Sequence, residues 1–151
     1  MAHRSNRRLA DSALVQAVLD QAEARLDVTG GSAGGGAAAG ALTRSHTSDF
    51  RTVGWYGIPP PGWRLAIDAE VSDAPVPPAL AARFGPASFW SRWTRAESMC
   101  KVFGVPIAVW LRRHGLGVPA RFPGAWRTLA LADLTISVAC VPAAVVDRGA
   151  G

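Results

Sequence analysis

Between Ile67 and Val71 apolar and acidic residues alternate, with Ile67, Ala69 and Val71 on one side and Asp68 and Glu70 on the other. A period of two belongs to a strand, so this segment predicts a β-strand whose apolar face seeks a core and whose carboxylates leave from the opposite face. Two positions apart on an extended chain, the carboxyl groups start on the order of 7 Å from each other, close enough for one divalent cation to accept both. Further on, Phe89, Trp93, Ala96, Cys100 and Phe103 recur at four-three-four-three spacing. That spacing predicts a long helix over 88–103 with a single apolar stripe. A strand and a helix of this kind have to bury their apolar faces in layers, and an order of helix, three strands, helices and two strands along the chain fits an α+β arrangement.

The remaining segments fit that frame. Leu9, Ala13, Leu14, Ala17, Val18 and Ala24 predict an amphipathic helix over 10–26, and the glycine- and alanine-rich stretch 30–40 reads as a flexible loop. Strands are expected at 42–46, 51–57 and 64–71, separated by Thr47-Ser48-Asp49 and by Pro59-Pro60-Pro61-Gly62, and together read as an antiparallel meander. A short helix at 79–84 precedes the long one, and 105–113 continues it after a break at Pro106. Two closing strands, 126–131 and 134–141, meet around Ala132-Asp133, and the tail past Pro142 is expected to fray. The organisation is then a helix and loop over 1–40, a core domain over 41–142 with helices against one antiparallel sheet, and a tail over 143–151.

At 151 residues the chain suits one domain. Its net charge of +5 is carried by fifteen arginines and a single lysine, Lys101, which favours an anionic partner. The same composition also arises in a GC-rich genome without selection for binding. The arginines are dispersed and not interleaved with aromatics as in a nucleic-acid module, so nucleic acid is not the expected partner. Cys100 and Cys140 stand apart without metal-site or disulfide spacing and read as small buried hydrophobes. No run has the length or apolarity of a secretory signal or membrane span, so a cytoplasmic location and no membrane association are expected.

Lys101 follows Glu97 by four positions, which puts them one turn apart on a flank of the predicted helix. Alone, such a pair is an ordinary solvated ion pair. Its context is more specific. Ser45-His46, Ala66-Ile67-Asp68-Ala69-Glu70, the run from Phe89 through Trp93 and Glu97 to Lys101, and Gly115-Leu116-Gly117-Val118-Pro119 occur in one order. That order resembles the 4'-phosphopantetheinyl transferase superfamily, in particular the C-terminal half-domain of the type that activates surfactin and other peptide synthetases. The resemblance implies an antiparallel sheet packed on a long helix and Mg2+-dependent transfer of 4'-phosphopantetheine from coenzyme A to a serine of an acyl or peptidyl carrier protein. It also implies that Asp68, Glu70 and Glu97 hold magnesium, that Lys101 assists serine deprotonation or steadies the leaving diphosphate with Glu97 beside it, and that His46 contacts a phosphate. Arg44 and Arg92 are further candidates for coenzyme A phosphates. His46 could equally be held by a turn hydrogen bond.

The pattern departs from the family at Ala96, where a lysine is usual, and at Ala66, where a glycine is usual. Arg92, one turn before Ala96, is the better-placed replacement cation. Only one of the two half-domains is present, so a homo-oligomer is expected to complete the cofactor cleft. A second reading keeps the fold and assigns it to specialised polyketide or peptide metabolism, as a cyclase-like enzyme or a non-catalytic binder of carrier protein or small molecule. Trp55, Trp63, Trp90 and Trp110 could line a pocket for such a molecule.

Overall fold

The computed structural model describes residues 2–30 and 39–149. Helix α1 (Ala2–Asp20) passes through a 3-10 turn (Ala22–Arg25) into strand β1 (Leu26–Gly30). Strands β2 (Thr43–His46) and β3 (Arg51–Trp55) form a hairpin, and β4 (Trp63–Val71) follows. Helices α2 (Pro78–Phe84), α3 (Phe89–Phe103) and α4 (Ile107–His114) come next, then the hairpin β5 (Ala125–Leu131) and β6 (Leu134–Pro142), and finally α5 (Ala143–Arg148). Most of the expected loop 30–40 lies outside the described residues.

The protein is α+β, with its strands in two antiparallel three-stranded sheets ordered β1-β3-β2 and β4-β6-β5. This corrects the single sheet and the meander expected from sequence. Strand β4 does not continue from β3. It pairs instead with β6 along its whole length, from Trp63 opposite Pro142 to Val71 opposite Leu134, because β6 offers a partner of equal length whose apolar residues meet its own. The helix expected to reach residue 26 ends at Asp20, and Leu26 and Val28 lie instead at alternate positions of strand β1 beside β3. The two sheets meet where β2 lies beside β4, joined through side chains of Ser45 and Ser48.

Each side of the β4-β6-β5 sheet has its own core. On one face Leu65, Ile67 and Ala69 of β4 and Leu134, Ile136 and Val138 of β6 pack against Val15 and Leu19 of α1 and against Val53 and Trp55 of β3. On the other, Ala66, Ala139 and Val141 meet Phe89, Ala96, Met99 and Cys100 of α3. Burying each large side chain contributes roughly 1.5–3 kcal/mol, so α1 is part of the folded core and not an appendage. The consequence for β4 is that both faces are covered. The carboxylate face expected to meet solvent lies under α3.

Helix α3 is held at both ends. Ser88 precedes it in the left-handed region at φ 49°, and Gly104 follows at φ 66°. The Val105 N–H donates to the Cys100 carbonyl at 3.0 Å and the Gly104 N–H to the Lys101 carbonyl at 3.1 Å, the paired bonds of a Schellman ending that positive φ permits. Lys101 therefore sits in the last turn of a firmly terminated helix. Residues 143–148 are not frayed: α5 is tied by the Ala143 N–H to the Gly62 carbonyl at 2.9 Å and by Arg64 to Asp147 at 2.6 Å.

Candidate functional site

Three stretches far apart in sequence meet where α3 crosses β4 beside β2. Lys101 Nζ donates to Asp68 Oδ1 at 2.9 Å and to the Ile67 carbonyl at 3.2 Å. Ser45 Oγ donates to the same Asp68 oxygen at 3.0 Å while accepting the Ala69 N–H at 3.0 Å. The serine hydroxyl thus takes the place of a backbone rung between β2 and β4. It fixes Asp68 from one side as the ammonium fixes it from the other.

Asp68 is 5% exposed. Burial, with the nearby Glu97 charge added to it, raises its carboxyl to about 7, against the pull of Lys101 and Ser45 in the other direction. Desolvation of the charged form outweighs the ion pair here. Glu97 is half-buried one turn before Lys101, and forms no ion pair or side-chain hydrogen bond among the described residues. A carboxyl that titrates near neutrality beside an ammonium and a second carboxylate is suited to handling protons. The neighbouring Cys100 thiol is no nucleophile, since burial pushes it up to about 12.

The other expected site residues are placed differently. Glu70 turns along β4 to the hairpin tip, where its Oε1 accepts the Ser48 N–H at 3.0 Å, the Ser48 hydroxyl at 2.8 Å and the Val71 N–H at 2.9 Å. His46 and Arg44 flank Ser45, and successive strand residues project to opposite faces, so neither joins the junction. His46 Nδ1 is instead 3.0 Å from Thr52 Oγ1. Arg92 is not available for a phosphate: its guanidinium donates to the carbonyls of Phe84, Gly85 and Ala87 and clamps the end of α2 to α3. Position 96 itself faces the core, where Ala96 is fully buried.

Ser45 joins the site, whereas the motif resemblance gives a role only to its neighbour His46. Strand alternation carried the signal, since a face shared with His46 was never open to it. Beside Lys101 a surface cleft of about 230 Å³ is bordered by Leu42, Trp63, Arg64 and Val102. Arg64 is a second cation on this rim that the motifs did not indicate.

Asp68, Glu70 and Glu97 are hard oxygen donors of the kind magnesium takes, and the repulsion between Asp68 and Glu97 is one that a divalent cation would relieve. In that chemical sense they fit the ion. They are not gathered for it in advance, because Asp68 is engaged by Lys101 and Glu70 by Ser48, and no group of three metal-ligating side chains is assembled among the described residues. No helix among the described residues is long and apolar enough to cross a membrane. No family model matches the chain, and neither does any curated protein or solved structure.

Proposed function

We propose that the Ser45, Asp68, Glu97 and Lys101 junction transfers 4'-phosphopantetheine from coenzyme A to a carrier-protein serine. The observation that carries this reading is the meeting of three separated motifs at one point, with Lys101 bonded to Asp68 and Asp68 to Ser45. The serine oxygen forms a bond to the phosphorus that bears the pantetheine, and the bond from that phosphorus to the bridging oxygen breaks. The adenosine bisphosphate half leaves with the electron pair.

Glu97, one turn before Lys101 and without an ion-pair partner among the described residues, accepts the serine proton. The Lys101 ammonium opposes negative charge on the departing oxygen. Magnesium held by Asp68, Glu70 and Glu97 would neutralise the pyrophosphate. A cleft of about 230 Å³ falls below the usual size of a small-molecule site, which supports completion of the coenzyme A site by a second copy of the chain.

Incubation of the full chain with coenzyme A, magnesium and a panel of apo carrier proteins tests the proposal. One phosphopantetheine mass should appear on a carrier, and Glu97→Gln or Lys101→Met should slow its appearance by roughly a hundredfold or more. If no carrier gains that mass, the transfer reaction is wrong.

The second reading, a non-catalytic binder on the same fold, is favoured by two specific observations: Asp68 is already closed onto Lys101, and position 96 is sealed in the core. Calorimetry separates the two. Magnesium-dependent binding of coenzyme A that Glu97→Gln abolishes supports transfer, whereas carrier binding without either component supports the second reading.

A further inference from the structure

Beyond Lys101, at the other end of the α3–α4 corner, lies a second cleft of about 350 Å³ that shares no lining residue with the cleft at Lys101. Phe103, Trp110 and Phe122 form its walls. Phe103 lies nearly parallel to Trp110 with ring centres 6.0 Å apart and meets Phe122 edge-on at 6.1 Å. The His114 ring packs on Trp110 at 4.7 Å. Its volume falls within the range of small-molecule sites, and an aromatic lining with a few polar groups at the mouth is their usual make-up.

The mouth is cationic. Arg113 and Arg121 border it, both exposed, and no acidic side chain lines the cleft. Several other arginines are committed, Arg51, Arg64 and Arg127 to carboxylates and Arg92 and Arg95 to backbone carbonyls. Arg113 and Arg121 form no ion pair or side-chain hydrogen bond among the described residues. Two uncommitted guanidiniums beside a wall of rings present the two halves of one ligand chemistry. Rings favour an aromatic body packed face or edge on them, and guanidinium forks favour a planar carboxylate.

We infer that this cleft binds a small aryl carboxylate, with its ring against Phe103, Trp110 and Phe122 and its carboxylate on Arg113 and Arg121. The site does not depend on the transfer reaction, and its test reads binding alone. The probe is 2-naphthoate, titrated into the full chain by calorimetry and followed at the Trp110 indole N–H resonance, which is assigned by its loss in Trp110→Phe.

One equivalent should bind and shift that resonance. Neutral 2-naphthalenemethanol should bind roughly tenfold more weakly or worse, and Arg113→Gln and Arg121→Gln should each weaken naphthoate by a similar factor, the worth of a charge-assisted hydrogen bond. Both arginines are exposed, so these variants keep the fold. Absence of naphthoate binding at millimolar concentration, equal affinity for the alcohol, tighter binding of decanoate, or undiminished binding by the arginine variants would each overturn the inference.

Discussion

Replacing Asp68 by asparagine should make the protein more stable at neutral pH, although the change removes a buried ion pair with Lys101. The carboxyl is raised from 3.8 to about 7, chiefly by burial. Over that interval the native state holds a proton that the unfolded chain has released, so this group's contribution is full below pH 4 and is lost as pH rises through 7. A shift of about three pH units corresponds to roughly 4 kcal/mol. Asparagine keeps the shape and an oxygen for Lys101 and Ser45 to bond, and has no charge to desolvate. Urea denaturation from pH 4 to 7.5 reads the effect. The two proteins should agree near pH 4 and separate steadily, until at pH 7.5 the Asp68→Asn midpoint is higher by on the order of 2 M, taking the usual urea slope for a chain of this size. The Asp49 carboxyl, held down to about 2 by Arg51 and Thr47, acts below this window and is common to both proteins. If Asp68→Asn is instead less stable at pH 7.5, then the ion pair with Lys101 outweighs burial and the raised proton affinity of Asp68 is mistaken. A carboxylate kept at a cost to stability is the kind of compromise found where function constrains the residue.

Two other substitutions test how the fold holds the site. Ala96→Lys introduces the lysine usual in the motif that the sequence resembles, but the position is fully buried in the α3 core, so the variant should lose about 3–5 kcal/mol by calorimetric melting; an unchanged melting temperature would mean that a side chain at 96 can reach solvent or phosphate. Gly124→Ala would place a Cβ 1.9 Å from the Cys140 carbonyl oxygen, and because that oxygen belongs to the central strand of its sheet, a loss of several kcal/mol is expected in the same assay. Retained stability would show that the start of β5 can move away from β6.

Much of the local structure was legible because its signals are local. The alternation through Asp68 and Glu70 gave β4, the stripe from Phe89 to Phe103 gave α3, and Pro106 marked the break before α4. The meeting of Lys101 with Asp68 was foreshadowed only by motif resemblance. What each of these residues does after folding was not legible from its neighbours. Asp68 and Glu70 read as a solvent-facing pair, yet a strand covered on both faces shows the same alternation as a strand covered on one when its second face carries a polar cluster. Arg92 reads as a phosphate ligand from its place one turn before Ala96, whereas its actual partners, the carbonyls of 84, 85 and 87, are backbone groups that no side-chain pattern reports.

The amino-acid order by itself determined β4, α3 and the closing hairpin, and which side of each is apolar, since these follow from backbone sterics and spacing over a few residues. Only the tertiary structure decided that β4 pairs with β6 across more than sixty positions of chain and not with its neighbour β3, and that α3 closes over Asp68. Strand partners are chosen by matching length and buried area over the whole domain, and a carboxyl's proton affinity by the water excluded around it. Neither quantity exists until the distant segments have come together.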